Sequence, residues 1–373
     1  MANSPVGAMP SEGGSSASQS GRVNSLDGVR TFAVLAVMMV HAGFPGSELG
    51  WLGVDVFFVL SGFLITTLLC SESRRKGNIN LPKFWGRRFL RLMPAYWLYV
   101  GTLSVWMYTH PNELSGQSGW SPRLYVGALW GYFINYLPMG GIWKHQHLTI
   151  HLWSLAVEEQ FYFLWPFICF FAFRLRRPWI IAWGVFAAVL VRRLFAATDQ
   201  MGALLTTRGV GIVLGCAVAM TLAYGYRPRW LQSTRLRNAA IVFAFVAISV
   251  LTVLHRRGLL SEDEIKSWAV TWLSVVFACT IAMLWYGPAD RVTAFLATRP
   301  MAYLGQISYG LYLYHSAARL IVWDLLLPGL DSWNQYLKYG LRFTAYLGLT
   351  ILIATVSYQL VERPFLILKS RLR

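Results

Sequence analysis

Read along its length, the chain alternates long apolar runs with short polar breaks. Strong runs fall at 29–44, 52–70, 92–109, 152–173, 179–195, 203–223, 238–254, 267–286, 303–327 and 339–361, with a weaker one at 124–140. Their lengths cluster near the ~20 residues that a helix needs to cross a bilayer core. Within each run apolar residues follow one another rather than alternate, which favours helices over a closed barrel. The pattern predicts an all-α polytopic membrane bundle of about ten transmembrane helices, or eleven if 124–140 crosses. No linker breaks it over 22–373, which reads as one membrane domain. Residues 1–21 are small, polar and free of Lys and Arg, and read as a disordered tail.

Composition agrees. Of the 373 residues, 56% are hydrophobic and 13% charged, against about 25% charged in a soluble domain. Lipid must therefore be the solvent for much of the surface. The formal charge of +17 would suggest nucleic acid in a soluble protein. Here its placement assigns it to cytoplasmic loops, and no nucleic-acid partner is expected. With the ten strong runs crossing and the N-terminus inside, most Lys and Arg face the cytoplasm, including seven between Arg74 and Arg91. A crossing at 124–140 would turn the later basic loops outward. The segment 110–151 is therefore expected to be one outer excursion, partly re-entrant, in a plasma-membrane protein with both termini cytoplasmic. Cys70, Cys169, Cys216 and Cys279 are isolated, and no CxxC pair indicates a metal or disulfide framework.

Ionisable residues at membrane depth are costly, so each is a functional candidate. Arg30 and His41 are eleven positions apart, on one helical face and about 16 Å apart along the axis. Asp55 enters from the outer side at a depth like that of His41. Glu158 lies one to two turns into the segment that opens His151-Leu152-Trp153-Ser154. Ser61 and Gly62 read as close-packing positions. Arg208, Arg319 and Arg342 also fall inside the membrane. Arg88 and Arg91, in the inner loop, are three apart and so share a face. Paired guanidiniums suit a phosphate, or anchor the loop to anionic headgroups.

Five blocks in order resemble the acyltransferase-3 family of membrane O-acyltransferases. They are Leu26-Asp27-Gly28-Val29-Arg30 followed by His41; Gly53-Val54-Asp55-Val56-Phe57-Phe58 to Ser61-Gly62-Phe63; Arg88-x-x-Arg91-x-x-Pro94; Trp153-Ser154-Leu155 to Glu158 and Phe161; and Ser308-Tyr309 to Tyr312 and His315. Thr31-Phe32 departs from the Gly-x-Ala expected there. The resemblance implies a cytoplasmic acyl-CoA donor, commonly acetyl-CoA. The acceptor would be a sugar hydroxyl on a cell-surface glycan or on a glycosylated metabolite such as a macrolide. His41 would be catalytic and Arg30 would contact the donor. The chain would be the stand-alone form, without a C-terminal esterase-like domain.

The chemistry fits these residues. A thioester is activated enough to need no metal. The reaction needs a base for the hydroxyl proton and stabilisation of an oxyanion. His41 would be the base, oriented by Asp55 or Glu158 in the manner of a triad acid. Arg88 and Arg91 would hold the CoA phosphates with Arg30, and Trp153, Tyr309 and His315 would contact the acceptor. The rival reading is a proton- or ion-coupled transporter, since intramembrane Arg, His, Asp and Glu also mark such proteins. The second half shows no repeat of the first that many transporters carry.

Overall fold

The computed structural model describes residues 16–110, 121–137, 146–196, 204–330 and 334–370. Residues 1–15 of the expected tail, and 111–120 and 138–145 of the expected excursion, lie outside them. Helices are the regular structure throughout the described residues. The first, α1 (Ser16–His41), carries Arg30 and ends on His41. A short turn at Gly50–Leu52 leads into α2 (Gly53–Lys76), which stops at Gly77 in a left-handed conformation, φ 75°.

The next helix, α3 (Leu81–Thr109), is capped by the Asn80 side chain, which accepts from the Lys83 backbone N–H at 2.9 Å. It begins eleven residues before its apolar run. Arg87, Arg88 and Arg91 thus lie on a helix and not in a loop. The cap and Phe84, whose buried ring ties the basic turn to the core, carry the helix past the end of the lipid-matched stretch. Among its described residues the weak run yields α4 (Pro122–Trp130), nine residues long, and a 3-10 turn at Ile134–Tyr136. Nine residues rise about 14 Å, too little to cross. Gly131 and Tyr132 end it, Tyr132 at φ 57° with its ring stacked on Tyr96.

Then follow α5 (Leu152–Ala172), α6 (Trp179–Leu194), the single turn α7 (Leu205–Arg208), α8 (Val210–Ala223) and α9 (Thr234–Arg256). A turn α10 (Glu262–Glu264) runs through a π-helical stretch into α11 (Val270–Tyr286). Two short helices, α12 (Arg291–Leu296) and α13 (Arg299–Gln306), precede α14 (Ser308–Leu320), α15 (Gln335–Ser357) and α16 (Arg363–Ser370). Each of the ten strong runs holds helix among the described residues, with 203–223 divided between α7 and α8 and 303–327 between α13 and α14. Among the described residues, five spans are long and apolar enough to cross a membrane: Gly50–Lys76, Gln146–Ala172, Thr234–Arg256, Glu262–Tyr286 and Tyr336–Leu368. On α9, Phe243, Phe245 and Val246 point outward, as lipid-facing side chains must.

Close helix approaches set the site. A Cβ on Gly62 would come 1.9 Å from the Ile212 carbonyl oxygen, and one on Gly215 would come 2.3 Å from that of Val59. Small residues thus let α2 and α8 touch backbone to backbone, the usual device where lipid supplies no hydrophobic drive. Likewise Gly28 seats α12 on α1 and Gly305 seats α13 there, and Thr31 donates to the Met301 carbonyl at 2.7 Å. This contact delivers α14 to the face of α1 that carries Arg30 and His41.

Candidate active site

Helices α1, α2, α3, α5 and α14 enclose a cavity of about 300 Å³. Arg30, Arg88 and Arg91 line it together with Glu158, Tyr309 and Tyr312. Arg30 forms an ion pair with Asp27 one turn earlier. Arg88 lies over the rings of Tyr162 (5.3 Å) and Phe84 (5.7 Å). Neither Arg88 nor Arg91 forms an ion pair among the described residues. This part of the wall is therefore cationic, while α2 contributes an apolar side with Val54, Phe57, Phe58 and Leu64. Glu158 accepts from Ser61 at 2.7 Å, and Tyr162 donates to the same Ser61 oxygen at 3.0 Å. Ser61 is thus more than the close-packing position its sequence suggests. Tyr309 is held by its hydroxyl, which donates to the Leu92 carbonyl at 3.1 Å.

Tyr312 separates this cavity from a histidine cluster. Its hydroxyl meets Ser154 Oγ at 2.7 Å and the His151 carbonyl at 3.1 Å. Beyond it, the His315 ring packs edge-on against His41 (4.8 Å) and against His151 (4.7 Å). Ser316 Oγ reaches His151 Nδ1 at 3.2 Å and His315 Nε2 at 3.3 Å. His41 Nδ1 lies 2.8 Å from the Val37 carbonyl. A carbonyl only accepts, so Nδ1 carries the proton and Nε2 keeps its lone pair. His41 thereby presents Nε2 as an acceptor, with its ring oriented by its own helix backbone.

Two expectations are corrected. Neither Asp55 nor Glu158 hydrogen-bonds to His41. Asp55 pairs with Arg208 at 2.8 Å, the two side chains 0% and 3% exposed. The Arg208 guanidinium also lies over Trp51 (5.0 Å) and Trp153 (5.8 Å). A buried arginine at membrane depth requires a counter-charge, and Asp55 is the one supplied. Glu158 is drawn instead to Ser61 at the cavity wall. Trp153 packs on Phe58 and Arg208 and stands outside the cavity wall. Sequence reasoning named Tyr312, His151, Ser154 and Arg208 without giving them a role, and did not name Ser316. Of these, only Arg208 gave a signal of its own, as a charge inside an apolar run.

The family model for an acyltransferase domain matches residues 23–359. The chain is 28% identical over 357 residues to the peptidoglycan O-acetyltransferase OatA of Listeria monocytogenes, covering 92% of this chain and 55% of that protein. It is 28% identical over 361 residues to the putative peptidoglycan O-acetyltransferase YrhL of Bacillus subtilis, covering 92% and 54%. It is 29% identical over 362 residues to the O-acetyltransferase OatA of Staphylococcus aureus, covering 91% and 56%. The chain spans about half the length of these curated relatives. No solved structure matches it. The family model takes in both the cationic cavity and the three histidines, and the chain belongs to the acyltransferase-3 family of multi-pass membrane proteins.

Proposed function

We propose that this protein transfers an acetyl group from acetyl-CoA to a sugar hydroxyl of a cell-envelope glycan. The observation that carries the reading is the shared wall of one cavity by Arg30, Arg88 and Arg91, with His41 and His315 just behind Tyr312. Guanidiniums suit the CoA phosphates, and the apolar α2 side of the cavity suits the pantetheine arm. The names of the relatives support a glycan acceptor, and membership of the family favours transfer chemistry over ion-coupled transport. In the reaction, His41 Nε2 takes the acceptor hydroxyl proton as the oxygen attacks the thioester carbonyl. The tetrahedral intermediate collapses, the C–S bond breaks, and the CoA sulfur receives the proton from the imidazolium. No step requires a metal.

Titration calorimetry with acetyl-CoA tests the donor site. Charge-assisted hydrogen bonds are worth roughly 1.5–3 kcal/mol, so Arg91→Ala should weaken donor binding by roughly 10- to 100-fold. Wild-type affinity in both Arg88→Ala and Arg91→Ala would mean that the cavity does not hold the donor.

A further inference from the structure

On the side of the histidines away from the donor cavity, α14 carries a second polar feature. His315 and Arg319 stand one turn apart on one face of α14, and Trp323 follows four residues later in the π-helical stretch Ile321–Leu326 that continues the helix. The His315 ring packs on His41, so this face turns toward the end of α1. The Arg319 guanidinium lies over the Trp323 ring at 5.3 Å. Its Nε is buried without a hydrogen-bond partner, and Arg319 forms no ion pair among the described residues. Tyr346 of α15 is 0% exposed, its hydroxyl also lacks a partner, and its ring lies 5.9 Å from Trp323. A second guanidinium, Arg342, lies over the same indole at 5.7 Å.

The order along α14 gives these groups a meaning. Tyr309 and Tyr312 face the cavity, His315 meets His41, and Arg319 comes one turn later. The donor is assigned to the first side, so what approaches from the other is the acceptor. His41, Arg319 and Trp323 are all partly exposed, so this side is reachable. A guanidinium held at membrane depth without a counter-charge is costly, and its fork matches a carboxylate or phosphate.

We propose that Arg319, together with the Tyr346 hydroxyl, forms an anion subsite on the acceptor side of His41, and that the acceptor carries an oxyanion, carboxylate or phosphate, near the hydroxyl to be acetylated. This inference rests on the transferase reading of the site.

Equilibrium dialysis tests it on the detergent-solubilised full chain, with three labelled oligosaccharides of one backbone: neutral, uronate-bearing and phosphate-bearing. The wild type should bind one charged form about 10- to 100-fold more tightly than the neutral one, and which form it is identifies the anion. Equal binding of all three overturns the subsite. Arg319→Gln should abolish the preference while acetyl-CoA binding stays intact; a preference that survives overturns the assignment to Arg319. Should that variant fail to fold, Arg319→Lys decides instead. It keeps the charge without the fork, and is expected to show a reduced preference; an unreduced one overturns the assignment. Binding is read without turnover. A wild type that consumes no acetyl-CoA with any acceptor would end the transferase reading alone.

Discussion

Removing the Asp55 carboxylate would leave the Arg208 guanidinium buried between two indoles with its charge unmatched. Breaking a buried pair from one side costs roughly 3–5 kcal/mol, whereas replacing both partners with apolar residues is often neutral. Asp55→Ala should therefore lower the thermal midpoint in fluorescence-detected size-exclusion chromatography, and Asp55→Leu with Arg208→Met should recover most of the loss. An unchanged midpoint with turnover abolished would return Asp55 to the catalytic machinery. The sequence shows that Asp55 is an ionisable group at the depth of His41, because position in an apolar run gives depth. It does not show to which side of the helix bundle the carboxylate turns, and that direction decides between His41 and Arg208. The same limit hid the pairing of Glu158 with Ser61. Arg30, Arg88 and Arg91 were legible because three cations with one chemistry need only the same end of the bundle, not a particular azimuth.

At the scale of the helix, backbone contact between α2 and α8 is the firmest constraint on the cavity. Gly62 faces the Ile212 carbonyl, one residue from Ser61 and its bond to Glu158. A side chain there must push the helices apart, and overpacking a close-packed site costs typically ~1–3 kcal/mol. Gly62→Leu should thus lower the thermal midpoint and weaken acetyl-CoA binding together, since the cavity wall moves with α2. A loss of stability with unchanged donor binding would show that α2 does not set the cavity. Helix formation within the ten apolar runs was legible, because lipid leaves the backbone few other ways to pair its polar groups; the breaks near Gly209 and Ile307, which divide two of the runs, were not. Nor was the beginning of α3, since an Asn cap and a buried Phe84 extend a helix where hydropathy has already fallen. The weak run at 124–140 resolved into a helix too short to span, broken at Gly131 and Tyr132.

Over the whole molecule, the proposed reaction requires the donor cavity on the cytoplasmic side and Arg319 on the outer side, with the histidines between. The distribution of Lys and Arg supports that orientation. In a cysteine-free background, a cysteine at Ser261 should react with a membrane-impermeant thiol reagent in intact cells, and one at Gly77 only after lysis. Labelling of position 77 from outside would invert the arrangement. The central claim is that His41 takes the acceptor proton during transfer from acetyl-CoA held by the arginine cavity. It is tested most directly by following CoA release and acetylation of a glycan acceptor from labelled acetyl-CoA, using wild type and His41→Ala in parallel. General-base catalysis contributes typically 10²–10⁴-fold, so His41→Ala should lose turnover by about that factor while binding acetyl-CoA as the wild type does. Near-wild-type turnover by His41→Ala would remove His41 from the proton transfer, and a wild type that releases no CoA would end the transferase reading.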